Sequence, residues 1–509
     1  MFGAPLHRKI YLVLLALLGG CMVTSRGLSN VVWVLLLANW VLEGRWREKW
    51  QMAKESRLLQ AVLVLWLAYC LGAFTASDFS QGFGAIRTRL PMLMVPLVVL
   101  TTQPPQKRAR STILWIYAGT VLVVTLIATV RMLTIPELSY RELVPFMSHI
   151  RFALNCSVVI FLCLFEPPKG RWRYAAYALA LWLVVFLFAI RSLTAFFMLA
   201  VVSLVVILCR RRTLKWIAFW LLVVGGTAFI CWLGIRSYYR LCPLATEPLR
   251  PVTANGRPYT HHNDGLIECG NYVYNYVCLE ELRAEWPKRS PVPLDSINSS
   301  DYTLDPILIR YLNALGLTKD SAGIAALTDD QVRDIEQGYA NPVYAHGSLP
   351  KQILYSTLFE YENYRNYNDA FAGFSMLQRF EMWRAAWHVA NQHPWFGDGL
   401  FNMPEKVNSE LHAMGSPLAD QNIHIHSQYL LWLIAFGRIG LIVIALAFLR
   451  ASPALRRQSP LLLAWTLVIL LSFATEITLG TLAERLFCTW CMAFRAGSAK
   501  EGEMPTEKK

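Results

Sequence analysis

Long apolar runs broken by short basic connections dominate the chain, and their lengths suit helices that cross a bilayer. Twelve runs are read, at 9–24, 30–42, 58–76, 90–102, 112–133, 152–165, 174–190, 192–209, 216–233, 427–448, 461–475 and 480–494. Between 235 and 425 the apolar pattern gives way to mixed sequence, long enough to hold a core of its own. Within it Tyr272, Tyr274 and Tyr276 alternate as in a strand. Thr328 to Gln331 has the spacing of a capping box. So has Ser375 to Gln378, which predicts a helix over 375–392. Arg379, Trp383 and Trp387 share one face of that helix, as in a segment lying along a membrane interface. The predicted architecture is an all-α polytopic membrane protein with about twelve transmembrane helices. Residues 1–234 carry spans one to nine, and 235–425 form a large, mostly helical segment outside the bilayer. Residues 426–495 carry spans ten to twelve, and 496–509 form a tail.

Composition agrees: 55% of the 509 residues are hydrophobic, more than a soluble domain of this length carries. The net charge of +14 sits mainly in every second connection. Arg45, Arg47, Lys49, Lys54 and Arg57 follow the second run, and Lys107, Arg108 and Arg110 the fourth. Lys169, Arg171 and Arg173 follow the sixth, Arg210 to Arg212 the eighth, and Arg450, Arg456 and Arg457 the tenth. This alternation predicts that those loops and both termini are cytoplasmic, which puts 235–425 on the opposite side. Charge divided among juxtamembrane loops is a topology signal that also favours anionic membrane lipids; it does not suit nucleic acid. His7, Arg8 and Lys9 give the first run the look of a signal sequence. A second run follows at once and no small-residue cleavage site is evident, so the run is read as retained. Of eleven cysteines, Cys242, Cys269 and Cys278 fall in the outer segment, where a disulfide between two of them would leave one thiol, with the pairing open. Cys488 and Cys491 form a lone C-x-x-C inside an apolar run and are read as packing, not as a metal or redox site.

The chemistry-bearing residues gather at the outer ends of these runs. His426 stands at the start of the tenth, where an imidazole meets water yet reaches a lipid-borne substrate. Gly437 is almost three helical turns further on and Gly440 slightly to one side, so a neighbouring helix is expected to approach closely there. The plainer reading is an interfacial anchor with ordinary glycine packing. Arg191 ends the seventh run, where a guanidinium snorkels, pairs or binds an anion. Arg379 sits beside Trp383 on the interfacial helix, and its plainer role is snorkelling too. Glu476, at the end of the eleventh run, either orients His426 or pairs with an arginine, or is a solvated helix-end carboxylate. Arg87 and Arg89 precede the fourth run on the outer side and add to a cationic funnel. Arg438 lies in the middle of the tenth run with no partner legible from sequence. A G-x-G in HPWFGDGLFNM lacks the strand-turn-helix setting of a phosphate cradle. A histidine suits general-base work, and arginine forks suit phosphate. Together they fit substitution at carbon with a lipid-linked pyrophosphate departing, without metal. The expectation is that His426, Arg191 and Arg379 converge in one pocket.

The stretch from Arg379 to Gly440 resembles the O-antigen ligase superfamily, which also contains O-antigen polymerases and bacterial protein O-oligosaccharyltransferases. That family's signature is H-[NSQ]-x9-G-x-x-[GTY], and His426, Ser427, Gly437 and Gly440 satisfy it. RFEMWRAAWHVANQHPWFGDGLFNM resembles the family's stretch of Arg, spaced Trp, Pro and Gly-x-Gly. IRSLTAFF resembles its outer-facing arginine motif, with the order around Arg191 altered. The portion 236–364 has no counterpart in the resemblance. The resemblance implies a GT-C-like, inverting glycosyltransferase of the bacterial inner membrane, working on the periplasmic side without cofactor or metal. It would move a glycan from undecaprenyl pyrophosphate to a hydroxyl of lipid A-core, with His426 as base and Arg191 and Arg379 on the pyrophosphate. An acceptor protein or a second lipid-linked repeat would use the same donor side. A flippase or transporter without chemistry would need a polar path across the bilayer, and the runs hold little beyond Arg438, Glu484 and Arg485.

Overall fold

The structure is a computed structural model. It describes residues 4–210 except 77, 136–137 and 139; 232, 235–236 and 238; 249–366 except 264 and 297–302; 375–452 except 422; and 459–501. Cys242, Asn422 and most of the run at 216–233 lie outside the described residues. The chain is mostly helical and divides into two compact units. One comprises 1–217, 382–414 and 424–509; the other comprises 218–381 and 415–423.

The first unit is a bundle of apolar helices. Among the described residues five are long and apolar enough to cross a membrane: Ala4–Thr24, Phe79–Leu100, Lys107–Thr134, Trp172–Ala189 and Gln428–Ala451. A sixth arises if Arg26–Glu43 and Trp46–Glu55, bent by 118° at a break, form one span. Shorter apolar helices, Arg57–Ala73, His149–Phe165, Thr194–Cys209 and Pro460–Thr475, complete the set with Leu482–Glu501. Lipid is as apolar as this interior, so close packing, not exclusion of water, holds such helices together. Gly19 shows the principle: a Cβ there would lie 2.9 Å from the Trp490 ring, whose Nε1 donates to the Leu15 carbonyl at 3.2 Å. Cys488 and Cys491 are buried free thiols in the same core.

Three charges, Arg87, Arg89 and Lys49, differ in place from the sequence reading. Arg87 and Arg89 lie inside a helix, not before one, because Asp78 caps the chain early, its carboxylate accepting from the Ser80 amide at 3.1 Å. Lys49 is no loop cation. It is buried, pairs with Glu43 at 2.9 Å and stands over the Trp40 ring at 4.7 Å, clamping the 118° bend.

The second unit is built from the short helices Leu279–Glu285, Leu304–Ala314, Ser321–Ala325, Asp329–Glu336, Pro342–His346 and Leu349–Asn366. Val273, Trp286, Leu308, Tyr311, Leu312 and Ile335 fill its core. Thr328 and Gln331 form a reciprocal capping box, as their spacing predicts. The alternating tyrosines do not form the expected strand. Asn271–Tyr272 pairs with Ile267–Glu268 and Val277 forms isolated bridges, but Tyr276 takes φ 58°, which breaks the alternation, and Val273 and Val277 lie in the core. Cys269 and Cys278 are both buried and are not joined to each other; Cys269 Sγ lies 3.2 Å from the Tyr355 hydroxyl. A carboxylate, Glu268, is fully buried here and satisfied by Arg310 (3.1 Å), Asn341 (3.0 Å) and Tyr355 (2.9 Å).

Candidate functional site

His426 immediately precedes the cap of a helix, and its backbone is strained. Its φ of 50° lies in the left-handed region, uncommon for a side-chain-bearing residue although histidine is among the better tolerated. Ser427 then caps the helix Gln428–Ala451, its hydroxyl accepting from the Leu430 amide at 3.4 Å. The second signature position is thus a helix cap, which explains a short hydrogen-bonding side chain there. Gln428, fully buried, donates to the Tyr69 hydroxyl at 3.1 Å and accepts from the Leu479 amide at 3.0 Å. Trp432 also donates to Tyr69, at 2.8 Å. The start of the helix is therefore pinned between Arg57–Ala73 and the loop after Glu476.

Pinning that loop sets the partner of His426. Glu476 ends the helix Pro460–Thr475 and is buried, not solvated. Its Oε2 lies 3.4 Å from His426 Nδ1, while the His426 side chain keeps 31% of its surface exposed. A carboxylate on Nδ1 favours the tautomer that carries hydrogen there and leaves Nε2 as the acceptor on the open side. Arg485, which the sequence presents only as a charge inside an apolar run, holds the loop. Its guanidinium donates to the carbonyls of Leu479 (2.8 Å), Gly480 (2.7 Å) and Thr88. Next to it, Glu484 accepts from Thr481 (2.7 Å) and pairs with Arg151 at 2.7 Å. Nothing in the local sequence joins Arg151 to Glu484 and Arg485, because Arg151 comes from a distant segment.

Arg191 belongs to the same unit. It follows the helix Trp172–Ala189 in a Schellman turn: its amide donates to the Phe188 carbonyl (3.0 Å) and that of Ser192 to Leu187 (3.1 Å). Glycine is usual at this position, but here an arginine is held at φ 50°. Its guanidinium lies 5.4 Å from the Tyr140 ring centre, and Tyr140 in turn meets His149 edge-on at 5.6 Å. His149 and Arg151 open one helix, so Arg191 reaches that helix through Tyr140 and His149, and Arg151 of the same helix pairs with Glu484. Arg89 stands over the Tyr69 ring at 4.7 Å, and Arg87 is exposed on the same helix. The helix Ser375–Gln392 is crossed by the division between units. Arg379 falls in the second unit and Trp383 in the first, both partly buried. His424 places its ring 6.5 Å from that of His426.

The glycines do something other than admit a helix. Gly437 has φ 65° and ψ −173°, so the helix breaks there. The loop at 394–399 fills the break. The amides of Asp398 and Gly399 donate to the carbonyls of Ile434 (2.7 Å) and Ala435 (3.1 Å). The amides of Arg438 and Ile439 donate to the carbonyls of Pro394 (2.8 Å) and Trp395 (3.1 Å). Broken backbone at membrane depth is tolerated only where such partners exist. A Cβ on Gly437 would lie 2.3 Å from the Trp395 oxygen, and one on Gly397 2.4 Å from the Ile434 oxygen. Gly440 clears Phe436, whose Cβ would be 2.4 Å away. Sequence periodicity assumes a continuous helix and cannot reveal a break satisfied by a loop from an earlier segment of the chain. The G-x-G of HPWFGDGLFNM, Gly397 and Gly399, likewise serves this docking. Arg438 now has partners as well: Asn391 Oδ1 at 2.9 Å and the Trp395 ring at 5.8 Å.

A bundle of apolar helices with a histidine–carboxylate pair at the head of a broken helix describes a multi-pass membrane protein whose candidate site is that pair. A family model described as O-antigen ligase matches residues 338–445. The match supports the O-antigen ligase superfamily, whose members are membrane glycosyltransferase-like enzymes. It spans Arg379, Trp383, His426, Gly437 and Gly440, while Arg191 and Glu476 lie outside it. No curated protein gives a match.

Proposed function

We propose that the chain is an O-antigen ligase, transferring a glycan from undecaprenyl pyrophosphate to a lipid A-core hydroxyl at the periplasmic face of the bacterial inner membrane. In this reading the apolar runs make twelve spans, the basic loops are cytoplasmic and 235–425 is periplasmic. The observation that carries it is the 3.4 Å pairing of His426 Nδ1 with buried Glu476 at the head of the signature helix. Nε2 takes the proton of the acceptor hydroxyl as its oxygen attacks the anomeric carbon. The bond from that carbon to the pyrophosphate oxygen breaks, its electron pair leaves with the phosphate, and configuration inverts. Glu476 stabilises the imidazolium that forms, as the third member of a triad does. Arg191 holds the departing pyrophosphate, and its strained turn fixes where the fork points. Arg379 supplies the second phosphate contact, an assignment resting on its motif. Arg87, Arg89 and Trp383 support the cationic surroundings.

The second unit, with its own core, favours a protein acceptor as the alternative, since such a body offers a docking surface. One comparison separates the readings. Cells lacking the gene are expected to lose long-chain lipopolysaccharide while keeping lipid-linked glycan; loss of glycoprotein bands instead would assign the protein-directed reaction. His426→Ala is expected to lower transfer by about 10²- to 10⁴-fold with membrane-inserted protein unchanged. Undiminished transfer would remove His426 as the base. Arg191→Lys and Arg379→Lys keep charge but lose the fork, and both are expected to slow transfer.

A further inference from the structure

We infer that the second unit carries a saccharide-binding cleft of its own, built from the tyrosine segment and the start of the helix Leu304–Ala314. The cleft has a volume of about 360 Å³, and its lining among the described residues lies wholly within that unit. It also lies outside the stretch that the family model matches. Part of the lining comes from Thr260 and Val277, which form an isolated antiparallel bridge. The Thr260 amide donates to the Val277 carbonyl at 2.8 Å and the Val277 amide to the Thr260 carbonyl at 3.1 Å, so main chain fixes this part. Tyr274 lines the cleft and packs against the unit's core, which anchors its ring. The rest comes from the helix start, with Thr303, Asp305 and Ile309.

The lining mixes two kinds of surface. Val277, Leu279 and Ile309 present carbon, and Leu279 is left 45% exposed. Thr260, Tyr274, Thr303 and Asp305 bring hydroxyls and a carboxylate. A ligand that satisfies both must carry C–H faces and hydroxyl edges on one frame, as a sugar ring does. Its hydroxyls donate to a carboxylate in charge-assisted bonds and accept from hydroxyls, and its C–H face suits the negative face of an aromatic ring. The helix start argues against an anion. Thr303 stands at the cap position but does not cap; its hydroxyl donates to Asp305 Oδ1 at 2.6 Å. The amides of Leu304 and Asp305 both donate to the Leu294 carbonyl, at 2.9 and 3.2 Å, and Pro306 has no amide hydrogen. The first turn thus has no donor left for a phosphate, and among the described residues the lining holds no lysine or arginine. A neutral polyol is what remains, and the volume, at the small end of ligand pockets, holds about one or two sugar rings. The ligand class rests on the lining alone. Its source rests on the proposed transferase reading, in which both the donor and the acceptor carry sugars; the cleft then binds a part of the substrate that does not react.

The test uses the full chain in lipid nanodiscs and two lipid-free probes, the repeat-unit oligosaccharide of the donor glycan and the core oligosaccharide of the acceptor. Saturation-transfer NMR and calorimetry follow binding. At least one probe is expected to bind, and inorganic phosphate is expected not to displace it. Asp305→Ala is expected to weaken binding by about tenfold or more, the worth of a hydrogen bond to a charged group, while Asp305→Asn, which keeps an acceptor oxygen, loses less. Thr260→Trp is expected to obstruct the cleft, since Thr260 is exposed and its bridge uses main chain alone. An unchanged Tm in the unliganded variants shows that each has folded. Failure of both probes to bind, displacement by phosphate, or binding indifferent to Asp305→Ala and Thr260→Trp overturns the inference. In transfer assays Asp305→Ala is expected to raise KM for the substrate whose oligosaccharide binds, donor or acceptor, and to leave kcat within about twofold. A fall in kcat at unchanged KM overturns the inference. Probe binding without transfer from any pyrophosphate donor would leave the cleft standing and remove the proposed reaction; transfer without probe binding would remove the cleft alone.

Discussion

The broken helix Gln428–Ala451 and the buried Glu268 of the second unit solve one problem in opposite ways. Each places polar groups where water does not reach. In the helix the exposed groups are backbone amides and carbonyls at Gly437, and another stretch of backbone, 394–399, meets them one for one. Around Glu268 the group is a side-chain charge, and side chains of Arg310, Asn341 and Tyr355 meet it. The first solution depends on shape: Gly397 and Gly437 must lack Cβ atoms for the loop to dock. The second depends on charge and can be rebuilt with other side chains. The membrane unit thus stores its irregularity in the main chain of the signature helix, and the second unit stores it in a salt bridge.

The sharpest way to break this contrast is Gly437→Ala. It forces an alanine into φ 65° and into the Trp395 carbonyl, and is expected to cost more than about 4 kcal/mol and abolish both stable insertion and transfer. Yield of folded protein and its Tm check this. Arg310→Met strands the Glu268 carboxylate and is expected to cost about 3–5 kcal/mol. Transfer per folded molecule should nevertheless stay within about twofold, because the network serves stability alone; a specific loss of turnover would tie the second unit to the chemistry.

A smaller effect follows from Glu281 in the same unit. Burial works against its charged form, but hydrogen bonds from Ser321 (hydroxyl 2.6 Å, amide 3.0 Å) and Thr253 (2.6 Å) outweigh this and hold the carboxyl at about 2. Since the folded value lies below the ordinary 4.5, its stabilisation is complete above pH 4.5 and disappears as pH falls toward 2. Glu281→Gln should therefore lower Tm near neutrality and converge on the parent in acid. Least of all, Arg438→Ala removes one hydrogen bond and a ring contact at the docked loop, worth about 1–2 kcal/mol, read as a small drop in Tm.

Much of the helical layout was legible because apolar runs in a membrane protein are uninterrupted signals. Where the reading slipped, one local residue is responsible. Asp78 starts a helix eleven positions before the apolar run at 90–102. Tyr276 in the left-handed region cancels a strand that alternation predicts. At the candidate site, His426 and its glycines were visible through the signature and Glu476 through its place at a helix end. Arg485, Glu484 and Arg151 were not, since each looks like a stray charge until tertiary contacts join segments hundreds of residues apart. The role of Gly437 was misread for the same reason: a periodicity argument sees one segment, and the partner of Gly437 is another.

The docked loop has a consequence for biogenesis. Residues 394–399 leave the ribosome before the span they complete, so this span cannot mature as an isolated hydrophobic segment released into lipid. Its two halves stay unfinished until an earlier, already synthesised strip of main chain folds back onto them. Assembly of the signature helix is thus itself a tertiary event.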